Sequence, residues 1–401
     1  MKGGSHQLEK RPTILFVQYA NPDFYPTTYN LSRMLAAEGY KVEICCRADY
    51  PSNIADYGEH VAVHRIGKRR HRLLAPLEFG FFFLFSLYTS LRTRASLVIG
   101  YDLPGFIVAG VIGRLLGKPF FYHVYDLFLP EEGIGKLACI LKRYERGLTS
   151  RAAVVIFSSE SKARLFLDSY RLDRRVFIVA NSPPLQDRVE SNFLRKRLAE
   201  SGCEAAYVVY YHGSIGPGKG LLPVVRSIPN WPDKSVFVLL GIVYDEEFFA
   251  GLMQAASQWG VRDRVHYFGV VPFPELYEYT RSADLGVFLP ESNASIHVYS
   301  GTAVVKLNDY MACGVPFLVS RIDALTTVAV ETGAGCAVDV TDSQELGSTI
   351  RNLLQDAAAR RRMGDAGYRL HRDRLNLRAQ YAPVLEEIGR ICELEAEMVT
   401  E

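Results

Sequence analysis

Short runs of consecutive apolar residues alternate with longer stretches of helical periodicity along most of the chain. Apolar runs without polar alternation are typical of parallel strands that are covered on both faces. In the first half the runs are TILFVQYA, KVEICCRA, VAVHRI, SLVIG, FFYHVY and AVVIFSS. In the second half they are AYVVYYHG, SVFVLLG, RVHYFGVV, LGVFL, PFLVS and CAVDV. The pattern predicts an α/β fold built from doubly wound parallel sheets.

The strand-and-helix pattern stops once and then restarts, which predicts two domains. The polar, Pro-rich segment FIVANSPP at 177–184 separates the halves and is expected to be a hinge. We therefore predict a first Rossmann-like domain over 11–184 and a second over 185–370, facing each other across a cleft. A charged, helical segment follows over 371–401.

Composition narrows the class of protein. Of the 401 residues, 48% are apolar and 22% charged, which is ordinary for a globular protein. A net charge of +2 gives no reason to expect a nucleic-acid partner. The seven cysteines are odd in number and show no CxxC or Cys/His spacing, so we expect reduced thiols, no metal site and a cytoplasmic protein. The polar N-terminal MKGGSHQLEKRP agrees, because it contains no apolar signal-peptide region.

The segment LLAPLEFGFFFLFSLYTSL at 73–91 is almost entirely apolar and follows the basic run KRRHR at 68–72. Three interpretations stay open: a helix buried against a sheet, a helix whose aromatic face lies in the membrane interface beside a basic patch, and a transmembrane span. Glu78 and the strand pattern that follows argue against the span, and the pattern favours the buried helix. The second interpretation would place 68–91 at the inner face of a membrane.

A glycine-rich loop, HGSIGPGKGLL, joins a strand to a helix at the start of the second half. Its glycines Gly213, Gly216, Gly218 and Gly220 would let backbone N–H groups approach an anion, and Lys219 adds a positive charge. The spacing matches GxxxxGK, but a P-loop needs Ser or Thr next, where this chain has Gly220. A nucleotide-sugar site is therefore favoured over an ATPase site. A purely structural turn is the alternative.

A second segment, VVKLNDYMACGVPFLVS at 304–320, places an acid in an apolar helix. The preceding SGT at 300–302 is a helix-start signal, so Asp309 is expected about two turns into the helix. If a diphosphate lies at the helix start, Asp309 can accept hydrogen bonds from the ribose hydroxyls, as an acid does in dinucleotide folds. A solvated helix residue is the alternative. Gly314 and Pro316 are expected to end the helix before the next strand.

These two segments resemble the motifs of retaining glycosyltransferases with the GT-B fold, the large family 4 group (glycosyl transferases group 1). Further similar segments are GYDLPG, HVYDLF, YERGLTSRAAVVIFSSE and GAGCAV. The resemblance implies two Rossmann-like domains, with the C-terminal helix crossing back to the first. It also implies a hexosyltransferase-type enzyme that moves a sugar from a UDP- or GDP-linked donor with retention and needs no metal or other cofactor. Carried over, Lys219 would hold the diphosphate and Asp309 the ribose.

The chain departs from the family pattern on the donor side. Ser214 stands where an arginine usually follows the first glycine, and Gly301 stands where many members have a second acid. Glu291, His297 and Lys306 are the candidate substitutes. The predicted donor-binding residues are Gly213, Ser214, Gly218, Lys219, Glu291, Thr302, Lys306 and Asp309.

In the first domain, HVYDLF stands where many members have D-x-H-E-L-F, so Asp126 takes the glutamate place and His123 the aspartate place. We predict Lys219, Asp126 and His123 as catalytic residues, although His123 would equally fit a hydrogen-bonded core position. The predicted acceptor-side residues are Asp23, Tyr25, Thr27 and Asp102.

The predicted function is transfer of a sugar from a nucleotide-sugar to a glycan or lipid-linked acceptor, in the synthesis of a surface polysaccharide or glycolipid. Two alternatives stay open. One is a catalytically inactive GT-B subunit that binds a partner, because an arginine and an acid of the pattern are missing. The other is a nucleotide-sugar epimerase, which needs a carboxylate and a histidine near the sugar; Gly301 and Ser214 do not supply them.

Overall fold

A computed structural model describes residues 12–48, 55–67, 75–127, 136–291 and 301–400. The chain divides into two compact units, each with its own sheet. Met1–Val179 and Tyr381–Glu401 form the first unit, and Ala180–Gln380 form the second. The division lies close to the predicted hinge at 177–184.

The first unit contains a parallel sheet with the strand order β3-β2-β1-β4-β5-β6-β7. Its strands are β1 (Thr13–Gln18), β2 (Lys41–Arg47), β3 (Val61–Ile66), β4 (Leu97–Tyr101), β5 (Phe120–Val124), β6 (Val154–Phe157) and β7 (Phe177–Ile178). Its helices are α1 (Pro26–Ala37), α2 (Ala75–Thr93), α3 (Asp102–Leu116), α4 (Lys136–Thr149) and α5 (Glu160–Tyr170).

The second unit contains a parallel sheet with the order β10-β9-β8-β11-β12-β13. Its strands are β8 (Tyr207–His212), β9 (Ser235–Leu240), β10 (Val265–Tyr267), β11 (Leu285–Phe288), β12 (Phe317–Ser320) and β13 (Gly335–Val338). Its helices are α6 (Phe193–Glu200), α7 (Leu221–Ser227), α8 (Glu246–Gln258), α9 (Phe273–Arg281), α10 (Val305–Ala312), α11 (Asp323–Thr332), α12 (Ser343–Gln355) and α13 (Ala357–Asp373). The last helix, α14, spans Leu377–Thr400, and its residues from Tyr381 belong to the first unit.

Both faces of the second sheet are buried, as the unbroken apolar runs predict. Val208 and Tyr210 of β8 lie in one apolar cluster, whereas Val209 and Tyr211 lie in another. Successive side chains of a strand point to opposite faces, so the two clusters cover the two sides of the sheet. The predicted strands and the doubly wound fold are confirmed, because every neighbouring pair is parallel.

The start of the helix that carries Asp309 differs from the prediction. Gly301 has φ +44, a conformation that an α-helix cannot contain, and a short 3-10 turn spans Gly301–Ala303. The α-helix α10 begins only at Val305. Asp309 therefore lies about one turn from the helix start, rather than two. The predicted end is confirmed, because α10 stops at Ala312 before a left-handed Gly314.

Helix α2 agrees with the favoured interpretation of 73–91, a helix packed against a sheet, and one of its faces is exposed. Only one face packs on the first unit, and the buried residues of that face are Phe82, Ser86, Thr89 and Ser90. The opposite face carries large apolar side chains that are exposed. A single helix covers a sheet with only part of its circumference, so the apolar side chains of α2 that point away from the sheet stay exposed. The basic run 68–72 lies outside the described residues.

The final helix packs on the first unit through a stripe of fully buried residues that includes Tyr381, Val384 and Ile388. Near its end, Glu395 pairs with Lys118 of the first unit at 2.5 Å.

Among the described residues, no helix is both long enough and apolar enough to span a bilayer.

Candidate functional site

The glycine-rich loop follows β8, at the carboxyl end of the second sheet, where open α/β sheets bind their ligands. Gly213 directly follows β8 and has φ +121. A Cβ atom at this position would lie 2.5 Å from Cε and 2.6 Å from Nζ of Lys306. The absence of a side chain at Gly213 therefore allows the Lys306 ammonium to lie directly against the loop backbone.

The Lys306 ammonium is enclosed by aromatic rings. Its Nζ lies 5.5 Å from the centre of the Tyr211 ring and 5.4 Å from that of Phe288, distances typical of cation–π contacts. Burial, followed by the nearby charge of Lys219, lowers the pKa of Lys306 to about 8. The half-buried Lys219 and Lys306 thus supply two neighbouring positive groups at the loop.

Glu291 forms hydrogen bonds with the C-terminal part of the glycine-rich loop, at Gly218 and Gly220. Its Oε1 accepts a hydrogen bond from the Gly220 N–H at 3.1 Å, and its own N–H donates to the Gly218 carbonyl at 3.2 Å. Gly220 has φ +71, and a Cβ there would lie 1.9 Å from the Leu289 carbonyl oxygen. Only glycine fits this position, for reasons of conformation and of space.

Asp309 lies next to His212, the last residue of β8. The Asp309 Oδ2 and His212 Nε2 atoms are 3.6 Å apart, and the two side chains are 3% and 6% exposed. Neither atom has a hydrogen-bond partner among the described residues. Burial raises the pKa of the Asp309 carboxyl well above its usual value, while burial and then Lys306 lower the pKa of His212. Both shifts favour the uncharged forms, so we treat the contact as a neutral pair rather than an ion pair.

Most of the predicted donor-side residues thus lie around one loop. The Ser214 carbonyl accepts a hydrogen bond from the Tyr211 hydroxyl at 2.7 Å. Thr302 lies in the 3-10 turn before α10, and its side chain lies outside the described atoms. His297 lies outside the described residues. Their contacts with a donor stay predictions.

In the first unit, the strand ends bring Asp102 and Asp126 together. Asp102 Oδ1 accepts hydrogen bonds from the Tyr125 N–H at 2.8 Å and the Asp126 N–H at 3.1 Å. Asp102 has φ +49, an uncommon conformation for a residue with a side chain. The buried Lys162 supports the same turn, because its Nζ donates to the Tyr125 carbonyl at 2.8 Å and to Ser158 Oγ at 3.2 Å. Asp126 is exposed, whereas Asp102 is half-buried.

His123 occupies a core position. It is fully buried, its Nε2 lies 2.7 Å from the Tyr381 hydroxyl, and its ring stacks on Tyr101 at 5.2 Å. Burial lowers the pKa of His123 to about 3, so the ring is neutral. This arrangement fits the core alternative, and the catalytic role stays a prediction.

The predicted acceptor loop is held by internal contacts. Asp23 is buried, and its Oδ1 lies 2.8 Å from the Arg65 guanidinium and 3.0 Å from the Tyr57 hydroxyl. Tyr25 stacks on Tyr125 with ring centres 5.8 Å apart, and Thr27 is buried at the start of α1. Their contacts with an acceptor also stay predictions.

Two family profiles together match most of the chain. The Glycosyl transferase 4-like domain matches residues 26–182, and the Glycosyl transferases group 1 family matches residues 198–370. The chain belongs to the group 1 glycosyltransferases. The predicted group 1 family is thereby confirmed, and retention stays a prediction.

A curated relative of this glycosyltransferase is the GDP-mannose-dependent alpha-(1-6)-phosphatidylinositol monomannoside mannosyltransferase of Mycolicibacterium smegmatis. The two are 26% identical over 160 residues, which is 40% of this chain and 42% of the relative. The alignment thus covers less than half of the relative's length.

Solved structures share the GT-B fold of the glycosyltransferase. Anabaena HepE in complex with UDP and glucose matches with a TM-score of 0.70 and 16% identity, over 94% of this chain and 100% of HepE. Sucrose-phosphate synthase from Thermosynechococcus elongatus matches with a TM-score of 0.69 and 17% identity, over 95% of this chain and 99% of that protein. A glycosyltransferase from Rickettsia africae matches with a TM-score of 0.71 and 11% identity, over 95% of this chain and 98% of that protein. At these identities the likeness concerns the fold.

Sequence patterns pointed to neither His212 nor Lys162 in the glycosyltransferase. His212 immediately precedes the first loop glycine, at the carboxyl end of a buried strand, and that position was the available signal. Lys162 lies on the stripe of α5 that also carries Phe166 and Tyr170, at helical spacing. A lysine on an apolar stripe is the signal that would have indicated Lys162.

Across the described parts of the chain, no group of three or more His, Cys, Asp or Glu side chains is placed to bind a metal ion.

The environment of Asp102 is expected to make the stability of the glycosyltransferase depend on pH. Burial, with the nearby Asp126 carboxylate, raises the pKa of Asp102 from 3.8 to about 7. Between these values the unfolded chain has released a proton that the folded chain keeps, so stability falls as the pH rises through this range. D102N should remove that slope, because the amide oxygen still accepts both backbone N–H groups. We expect the melting temperature of D102N to rise relative to the wild type between pH 4 and 7 and then level off.

D168N is the matched control, since Asp168 is an exposed aspartate of the same unit. Its melting-temperature difference should stay constant over the same pH series. A pH-independent difference for D102N would contradict the raised pKa of Asp102.

Proposed function

We propose that this glycosyltransferase moves a hexose from a UDP- or GDP-linked donor, with retention and without a bound metal, to a glycan or lipid-linked acceptor. The observation that carries the proposal is the Lys306 ammonium held against the Gly213 backbone. A cation fixed at a glycine-rich loop after a parallel strand is suited to an anionic phosphate group.

The chemistry follows from the charge that develops on the donor. When the bond between the sugar and the diphosphate breaks, negative charge accumulates on the leaving oxygen. Lys306 and Lys219 place positive charge at the loop, and a partly desolvated cation stabilises such charge more strongly than one in water. A bound diphosphate also raises the pKa of Lys306 from about 8, because its negative charge favours the ammonium form. Lys306 is therefore charged in the complex.

The relatives support both donor bases. HepE is solved with UDP and glucose, and the mycobacterial relative is named for its dependence on GDP-mannose. The same name includes a phosphatidylinositol mannoside, which supports a lipid-linked acceptor and synthesis of a surface glycan or glycolipid.

A thermal-shift panel of UDP-, GDP-, ADP- and dTDP-sugars tests the donor. A ligand that binds only the folded chain raises the melting temperature, by an amount that grows with its concentration relative to Kd. We expect a shift with a UDP- or GDP-sugar that persists in EDTA. No shift with any donor would contradict the proposal and favour an inactive subunit. The anomeric configuration of the product, determined by NMR, tests retention.

The exposed face of α2 supports a membrane-linked acceptor. Five large apolar side chains on this face are 56–73% exposed and follow the spacing 4-3-4-3, which aligns them on one side of a helix. The stripe they form is about 21 Å long at 1.5 Å per residue. We call it the α2 stripe; it consists of Leu77, Phe81, Leu84, Tyr88 and Leu91.

The charges around the α2 stripe favour an anionic lipid surface over a second copy of the chain. The exposed Arg92 and Arg94 follow the stripe, and the basic run 68–72 precedes it in sequence. Glu78, the one acidic residue within α2, lies 3.9 Å from Arg47. Two copies packed in parallel through the stripe would bring Arg92 and Arg94 of both copies together, which is unfavourable. Apolar insertion flanked by lysine and arginine fits an anionic leaflet, and a cytoplasmic position at the inner face of the membrane follows.

A further inference from the structure

His212 and Asp309 present two buried polar atoms to each other, and no described residue forms a hydrogen bond with either atom. His212 Nε2 and Asp309 Oδ2 are 3.6 Å apart, and both are without partners among the described residues. A buried polar group without a partner costs free energy, so such an arrangement calls for an explanation.

The surroundings hold the His212 ring in place. The ring stacks on Tyr210, with centres 5.6 Å apart and an interplanar angle of 30°, and meets Tyr310 edge-on at 5.4 Å. Tyr310 is the neighbour of Asp309 on α10, so the same packing couples the ring to the helix that carries the carboxyl group. Nε2 is therefore aimed at Asp309 by the fold.

We propose that His212 is a positioning residue of the donor site, which orients Asp309 toward the ribose of the nucleotide and so sets the preference for ribose over deoxyribose. The inference rests on the proposed nucleotide-sugar donor. It adds a residue, His212, through which Asp309 acts.

A small movement brings His212 Nε2 and Asp309 Oδ2 within hydrogen-bond distance. Hydrogen bonds between nitrogen and oxygen are about 2.9–3.0 Å long, so Nε2 and Oδ2 need to approach by roughly 0.6 Å. One proton then joins them, carried either by the imidazole or by the carboxyl group. In both cases Oδ2 is engaged with His212, and Asp309 Oδ1 is left to accept a hydrogen bond from a ribose hydroxyl. Without the imidazole the carboxyl group can rotate, and this acceptor is no longer fixed.

The test compares ribonucleotides with their deoxy counterparts. Dissociation constants are measured by calorimetry for UDP, 2′-deoxy-UDP and 3′-deoxy-UDP, and for the same three forms of GDP. The wild type should prefer a ribonucleotide over at least one deoxy form by about tenfold or more, as one hydrogen bond to a buried carboxyl oxygen allows. H212F and H212L should lose most of this preference. Their affinity for that deoxy form should stay within about twofold of the wild-type value. Two variants are used so that, if one of them fails to fold, the other can still be measured.

H212Q is the matched conservative variant, because its amide nitrogen can donate to Asp309 from about the position of Nε2, and it should keep the preference. D309A should abolish the preference, and H212F should not reduce it further in that background. Equal weakening of ribo and deoxy ligands in H212F and H212L would indicate a packing role and overturn the inference. Wild-type protein that binds neither UDP nor GDP would overturn the proposed donor and, with it, the inference.

Discussion

Replacing Lys306 with methionine is expected to lower kcat/KM for the sugar donor by about 10²–10³-fold, the usual cost of removing one preorganised group that stabilises developing charge. Methionine keeps an unbranched stem of similar length, so packing beside Gly213 is retained while the cation–π contacts with Tyr211 and Phe288 are lost. The change therefore removes the ammonium charge and leaves the packing nearly intact. Because the charge is most needed when the diphosphate leaves, kcat should fall more than the affinity for the nucleoside diphosphate.

The measurement uses the donor that gives the largest thermal shift, with sugar release to water or to an acceptor as the signal. K234M is the matched control: Lys234 lies in the same unit, and its exposed ammonium pairs with Glu204 at 3.3 Å. K234M should retain wild-type turnover, because a surface pair contributes little. Wild-type turnover in K306M would remove Lys306 from the donor site.

Replacing Phe81 and Leu84 together with glutamine is expected to reduce binding to anionic vesicles by about 30-fold or more. Both side chains belong to the α2 stripe, and each large apolar side chain that enters a membrane interface contributes about 1.5–3 kcal/mol. Glutamine is a good helix former, so α2 itself should persist. Co-sedimentation with vesicles of phosphatidylglycerol and phosphatidylcholine measures the loss, and the wild type should bind less to phosphatidylcholine alone.

V330Q provides the control, because Val330 on α11 of the second unit is 72% exposed but lies outside the α2 stripe. Its vesicle binding should equal that of the wild type. Binding by the double variant as strong as that of the wild type would contradict a lipid-facing stripe. A wild-type dimer in light scattering that the double variant abolishes, without vesicle binding, would instead identify a second copy as the occupant.

The fold was predictable because its signals are local. Each buried strand is an unbroken apolar run, such as TILFVQYA for Thr13–Gln18, and such runs identify a covered parallel sheet without knowledge of the partners. The helix start before Asp309 was not predictable in the same way. The SGT signal suggested a start at 300–302, whereas the positive φ of Gly301 delays the α-helix to Val305.

The site was only partly predictable because several of its contacts join distant segments. His212 and Asp309 are adjacent through the pairing of strands and the packing of α10, which no sequence spacing records. Lys306 was expected near the donor, but its enclosure by Tyr211 and Phe288 depends on two further strands. On α2 the buried face carries the small hydroxyl residues Ser86, Thr89 and Ser90, so hydrophobic periodicity could not indicate which face would be buried.

The hydrogen bond between Glu291 and the Gly220 N–H has a consequence for turnover. In the absence of a ligand the loop amide already holds a carboxylate, so a diphosphate that takes this amide exchanges one anion for another. Part of the binding free energy of the diphosphate then offsets the loss of the Glu291 hydrogen bond. The net affinity of the loop for the diphosphate is therefore lower than its contacts alone suggest. After transfer the same carboxylate can return to the amide and assist departure of the nucleoside diphosphate. If the proposed donor binds at this loop, we expect Glu291 to limit product inhibition, because it competes with the nucleoside diphosphate for the Gly220 N–H.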